Sequence, residues 1–391
     1  MKWKTAETKE DTSIIPKSWL HIHYYDALNT LFRIENSLRV FVYLVLKNNL
    51  FDKWADISIT SDDVETTTIQ SIANKRIHQA QDFGYLGYII QCPVMHLTSG
   101  ELVRLITDDN YWRYFKQYFP ASKQIIKHKL DAISIIRNSL AHFRPIKSDD
   151  VDLIKQNASH ALQGVDDCLS QVTNCYDTVP TNTKESWYLS LSPLETALCN
   201  LQFMQSNNSK WICIKLEYNL PILITHSAKS FSIHNVLTLI TPSILGKYGS
   251  VKTYVTYITE SEASSHKYTP ESPNLSKNIN FLFNRSELES NYDAIKSEFE
   301  SLLNSISEET DLIQNDNLAR GILVSVVRIT ARCPDKALQY WEVNAKNTLS
   351  PQPENDYPEY WRNTSSISNM LTSTERYPWM PIDISETEWD F

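Results

Sequence analysis

A proline at position 145 stands between two runs of helically spaced apolar residues, and no other feature restricts the fold of this chain as much. Before it, Ile126, Leu130, Ile133 and Leu140 recur at three- to four-residue intervals, with Ser122 placed after Pro120 to cap the start. Beyond it, Val151, Ile154, Ala158, Ala161, Leu162, Val165 and Leu169 line one face of a helix predicted to begin at Ser148 and Asp149. Proline has no amide hydrogen to continue the first helix, so the two helices must turn back on one another. A third stripe, Leu28, Leu31, Phe32, Leu38, Phe41, Val42 and Val45, marks a long helix from about Trp19 to Phe51. Together the three predict an all-α, up-and-down helical bundle. Further helices are expected from Val64 to Gln81 and after Thr98 and Glu101, a capping-box pair preceding Leu102, Leu105 and Ile106. Glu35 and Arg39, four residues apart, read as an ion pair along one helix face.

The periodicity changes after the polar, proline-containing stretch DTVPTNTKES at 177–186, which sets an expected boundary between a domain at 1–178 and a second at 179–391. In the second, Ser192-Pro193-Leu194-Glu195 has the form of a helix start. WICIKLEY (211–218), PILITH (221–226) and VKTYVTYIT (251–259) read as strands, and FLFN (281–284) as a short one. Residues 260–278 read as loop, and Ser286 opens a helix to about Ser307. GILVSVVRIT (321–330) fits either a strand or a buried helix. The overall class is therefore α+β, an all-α first domain followed by a mixed α+β second one.

Composition narrows the functional classes. Seven glycines in 391 residues argue against a glycine-rich phosphate-binding enzyme. The six cysteines, at 92, 168, 175, 199, 213 and 333, contain no C-x-x-C pair, so neither a zinc module nor a disulfide framework is expected, and they read as reduced, buried thiols. No stretch approaches the roughly 18 apolar residues of a membrane span. A soluble, cytoplasmic protein with no membrane partner is the expectation. The net charge of −9 is unevenly spread. Tyr111–Lys147 carries eight Lys or Arg against one acid, whereas 354–391 carries eight acids against two Arg. That partition points to partners or self-contacts. The acidic, tryptophan-containing tail, about 350–391 and ending ISETEWDF, is expected to be irregular and to lie against the basic region and restrain it.

Within that basic region the sequence RNSLAH puts Arg137 in a slot where the apolar stripe calls for a hydrophobic residue, with Asn138 next to it and His142 near the helix end. An R-x4-H pattern with a polar residue after the arginine, at the end of a helix in an all-α domain, resembles the signature of HEPN ribonucleases, above all those of bacterial abortive-infection and toxin systems. The resemblance spans roughly residues 15–175. It implies a metal-independent endoribonuclease with a composite site in a homodimer, RNA as substrate, and an antitoxin or a phage-derived trigger as a further partner. The residue chemistry agrees. RNA is cut without metal when a base takes the 2′-hydroxyl proton, the oxygen attacks the phosphate and an acid protonates the departing 5′-oxygen. Imidazole suits either proton role, and guanidinium suits a phosphate gaining charge. Arg137, Asn138 and His142 are the candidate catalytic residues, as phosphate clamp, orienting group and general base or acid respectively. Residues five apart on a helix point about 140° from each other, so one chain supplies only a loose pair, and two-fold symmetry would complete it.

Arg144, Lys147, Lys127 and Lys129 are candidates for tracking the RNA backbone, and read equally well as a solvated basic face. The aromatic run Tyr111, Trp112, Tyr114, Phe115, Tyr118 and Phe119 reads first as core packing and second as a base-stacking surface. His21, His23 and His160 have no metal-ligand company. G-x-S-x-G, phosphate-loop and H-E-x-x-H motifs are absent, so no metal or cofactor is expected. Two rivals stand beside the ribonuclease: a catalytically inactive HEPN-fold module that binds RNA, a nucleotide or a protein, and an enzyme whose active site lies in the second domain.

Overall fold

The architecture comes from a computed structural model, which describes residues 7–9, 12–14, 22–59, 67–82, 93–219, 222–224, 230–235, 241–269, 272–314, 325–332 and 342–344. The acidic tail, Cys92, Cys333 and His21 lie outside the described residues. The helices are α1 (Ile22–Leu50), α2 (Ile69–Asp82), α3 (Ser99–Thr107), α4 (Trp112–Phe115), α5 (Lys123–Ala141), α6 (Ser148–Ala161), α7 (Gln163–Thr173), α8 (Ser186–Leu191), α9 (Thr241–Lys247), α10 (Gly249–Tyr254) and α11 (Arg285–Gln314). The strands are β1 (Glu7–Lys9), β2 (Thr12–Ile14), β3 (Ser58–Ile59), β4 (Thr67–Thr68), β5 (Asp177–Thr178), β6 (Cys199–Gln205), β7 (Trp211–Asn219), β8 (Ile222–Ile224), β9 (Ser230–Asn235), β10 (Val255–Thr269), β11 (Ser272–Asn284), β12 (Ser325–Arg332) and β13 (Glu342–Asn344). The protein is thus mixed α+β, helical in its first half and with its large sheet in the second.

Two compact units emerge, and the chain passes between them more than once. One holds Met1–Val42, Ile59–Thr66 and Leu97–Leu169; the other holds Tyr43–Ser58, Thr67–His96 and Ser170–Phe391. Helix α1 contributes its first part to one and its last two turns to the other. The second unit therefore takes segments from well before residue 178.

In the first unit α5 packs against both α3 and α6. Its buried positions are Ile126, Leu130, Ile133, Ile136 and Leu140. The slot assigned above to Arg137 is filled by Ile136, one residue earlier, which leaves the arginine at the edge of the buried face. Thr98 and Glu101 form the capping box of α3, as their spacing requires. The single helix expected over 148–169 is instead two, because α6 ends at Ala161 with Leu162 as its C-cap and α7 restarts at Gln163. Gly164 lets that restart pass against the backbone of Tyr118: a Cβ there would sit 2.9 Å from the Tyr118 carbonyl carbon and 3.3 Å from its Cα. Of the aromatic run, Phe115 and Phe119 are buried, and both, with Tyr118, pack around Phe41 at ring separations of 5.0–6.0 Å.

In the second unit a five-stranded antiparallel sheet runs in the order β10-β11-β7-β6-β5. Side chains alternate across it. Leu201, Phe203, Ile212, Ile214, Leu216, Ile279, Phe281 and Phe283 point to one face and are covered by α8 and by Leu288, Ile295, Phe299, Leu302 and Ile306 of α11. Three expectations need correction here. Residues 260–278 are not loop but most of the β10–β11 hairpin, and α10 takes Val251–Tyr254, so the strand begins at Val255. Ser192-Pro193-Leu194 closes α8 as a single 3₁₀ turn rather than opening a helix. The ambiguous 321–330 run is strand over the described part, β12, in a second sheet ordered β13-β12-β9-β8.

Candidate active site

Helix α5 ends at Ala141 because its last carbonyls are satisfied by a turn that reverses the chain before Pro145. His142 is the C-cap residue, its N–H donating to the Asn138 carbonyl at 3.2 Å. The N–H of Phe143 donates to the Leu140 carbonyl at 2.9 Å and that of Arg144 to the Ser139 carbonyl at 2.9 Å, the paired bonds of a Schellman motif. Helix α6 then starts with the Asp150 carboxylate accepting from the Lys147 N–H at 2.9 Å. Tyr24 of α1 covers the turn, its hydroxyl 3.4 Å from the Leu140 carbonyl.

The three candidate catalytic residues sit on this helix end in different surroundings. Arg137 is half-exposed, and its Nε lies 3.4 Å from the Glu35 carboxylate of α1. No other partner meets its guanidinium among the described residues, so both terminal nitrogens of the fork stay open to an anion. Asn138 and His142 are exposed, and neither side chain has a hydrogen-bond partner among the described residues. Within one chain Arg137 and His142 are not brought together. The helical offset of about 140° turns one toward α1 and the other outward.

Glu35 is the residue whose part in the site the sequence left unseen. It pairs with Arg39, as the four-residue spacing implies, but its carboxylate also accepts from the Ser99 hydroxyl and faces Arg137. Only 13% of its side chain is exposed. Arg39 is fully engaged, donating in addition to Asn36 Oδ1 at 2.9 Å and to the Leu97 carbonyl at 2.9 and 3.1 Å. Glu35 thereby serves two cations: Arg39, locked into the fold, and Arg137, held at one nitrogen and otherwise free.

The basic candidates divide in the same way. Arg144 and Lys147 are exposed and border the helix end. Lys127 and Lys129 lie eight to ten residues back along α5, roughly 12–15 Å from Arg137 by helical rise. Lys129 is turned to Asn157 Oδ1 at 3.4 Å. Arg144 and Lys147 therefore lie in the turn after the three candidates, and Lys127 and Lys129 lie farther back along α5. His23 and His160 are exposed. Among the described residues no three His, Cys, Asp or Glu side chains gather as a metal site would need, and no helix is long and apolar enough to cross a membrane.

The cysteines of the described residues, Cys168, Cys175, Cys199 and Cys213, are buried free thiols. Burial pushes Cys175 up to about 12 and Cys199 up to about 11, so neither suits nucleophilic work near neutral pH. Cys175 and Cys213 line a cavity of about 180 Å³ on the sheet face opposite α11, with Met204, Tyr257, Asn280 and Leu282. A scan against protein-family models, a search of curated proteins and a search of solved structures each return no match to the chain.

Proposed function

We propose that the protein is a metal-independent endoribonuclease with a HEPN-like helical bundle, acting as a homodimer in a bacterial abortive-infection or toxin system. The observation that carries this reading is the end of α5, where an arginine with two open nitrogens, an amide and an imidazole, the latter two without side-chain partners among the described residues, are displayed within two helical turns. In the cleavage step His142 removes the 2′-hydroxyl proton or protonates the departing 5′-oxygen, and Arg137 grips the non-bridging oxygens as charge builds on phosphorus. Asn138 orients one of them. The products are a 2′,3′-cyclic phosphate and a 5′-hydroxyl.

A second chain supplies the proton-transfer partner that one chain lacks. Support for that comes from the surface beside the site. Ile135 is 67% exposed and lies on the same helical stripe as Asn138 and His142, three and seven residues earlier. On this reading the second copy is seated against that stripe and covers Ile135. Arg144 and Lys147 then hold the RNA backbone on either side. The second unit has the role of sensing or substrate selection, which its cavity at Cys175, Met204 and Asn280 would suit.

The test is expression of wild type beside Arg137→Ala and His142→Ala, with total RNA examined in EDTA-containing buffer. Cleavage by wild type, lost in both variants by at least two orders of magnitude, is the expected result. Intact RNA in all three cultures, with RNA or nucleotide binding retained, would establish the non-catalytic module instead.

A further inference from the structure

The turn after α5 is made in an unfavourable way. Its left-handed position, where chains commonly place glycine, is occupied by Phe143 with φ of 55°. A side chain there costs about 1 kcal/mol of backbone strain. Phe143 does not offset this by burial. At 85% exposed it is the barest large apolar side chain among the described residues. Its one ring contact there is with Tyr24, parallel within 7° at a centroid separation of 6.5 Å. The Schellman bonds fix the backbone beneath it, and its sequence neighbours are His142 and Arg144, both exposed. A strained backbone that presents a bare ring next in the chain to a candidate catalytic imidazole on one side and a candidate phosphate-binding guanidinium on the other calls for a ligand with a flat apolar face and an anion attached to it.

We propose that Phe143 is the stacking platform of the site, on which the base adjoining the scissile phosphate lies, and that the enzyme therefore selects unpaired RNA. This rests on the ribonuclease reading and names its substrate class. Bases inside a duplex have both faces covered by neighbours, whereas an unpaired base offers one to an aromatic ring. Stacking tolerates all four bases, so the platform selects strandedness rather than sequence. The phosphate on one side of that base is then within reach of His142, and the phosphate on the other meets Arg144.

The full-length chain carrying His142→Ala, which keeps the RNA intact, is titrated with a labelled single-stranded oligoribonucleotide and with the same strand in a duplex. Adding Phe143→Ala is expected to weaken single-strand binding on the order of tenfold, the loss of about one base–aromatic stack, and to leave duplex binding unchanged. Phe143→Trp restores the affinity. The dependence of binding on salt stays the same for Phe143→Ala and becomes shallower for Arg144→Ala. Phe143→Gly, which the left-handed backbone accepts without strain, must behave as Phe143→Ala does, and this separates lost stacking from misfolding. Equal single-strand affinity with and without the ring would overturn the platform. So would a Phe143→Ala defect confined to self-association, which would mean that the ring is covered by another copy of the chain. If the otherwise wild-type protein binds single strands through Phe143 yet cuts no RNA, the ribonuclease reading fails and the platform stands. If Phe143→Ala cuts at the wild-type rate and with the same strand preference, the reverse holds.

Discussion

Replacing Gly164 by alanine gives two arguments opposite signs, and the structure decides between them. Gly164 is the second residue of α7. On helix propensity and unfolded-state entropy alone, alanine should stabilise by roughly 0.5–1 kcal/mol. The structure instead puts the new methyl 2.9 Å from the Tyr118 carbonyl carbon and nearer still to its oxygen, where ordinary contact begins beyond about 3.5 Å. The obstacle is backbone and cannot rotate away. Helix α7 and the turn at Lys116–Tyr118 must part by roughly an ångström, and Tyr118 and Phe119 are both packed on Phe41. Overpacking of this kind costs about 1–3 kcal/mol, which outweighs the propensity gain and leaves the variant less stable by about 1–2 kcal/mol. Urea unfolding followed by tryptophan fluorescence reads this directly. An unchanged or higher midpoint would show that the close approach of α7 to Tyr118 is wrong, and with it the break at Leu162.

Glu35→Ala leaves Arg39, half-buried and tied to Leu97, without its counter-charge, and is expected to lose about 2 kcal/mol of stability and, on the proposed ribonuclease reading, most RNA cleavage; Glu35→Gln should recover most of the stability and little of the cleavage, read by melting and by a KM-against-kcat comparison. The buried thiols should resist iodoacetamide at pH 8, so mass spectrometry is expected to find Cys168, Cys175, Cys199 and Cys213 unmodified in the native protein and alkylated in guanidinium. Because Cys175 and Cys199 titrate higher in the folded chain than the ordinary 9.0, their contribution to stability is complete below pH 9 and is lost as pH rises toward 11–12. A melting temperature flat across that range would contradict their burial.

What could be read from the sequence follows from the range of the forces involved. The α5–α6 hairpin was legible because apolar spacing and Pro145 act within a few residues, and the capping box at Thr98 because its two members are three residues apart. The break at Leu162 was hidden, since the apolar stripe continues through it and the cause is the remote backbone of Tyr118. The β10–β11 hairpin was misread because its far end, ESEASSHKYT and SPNLSKN, has the serine, lysine and asparagine content of a loop. The Ser192-Pro193 helix start misled because proline at a first helical position serves a 3₁₀ turn equally well. Arg137, Asn138 and His142 could be named as candidates from their spacing along one helix. Glu35 could be named as an ion-pair member, but not as the anchor of Arg137, because that contact joins helices far apart in the chain.

The interleaving of the two units has a practical bearing on any dissection of the protein. A stop codon after residue 178 would not release a self-sufficient fragment. It would strand Tyr43–Ser58 from the segment that receives it, where the Tyr43 hydroxyl donates to the Thr256 carbonyl and the buried Lys47 ammonium to the Lys252 carbonyl. Such a fragment would present sticky surface and fail through insolubility rather than through missing chemistry. Separating the two halves therefore calls for point substitutions in an uncut polypeptide.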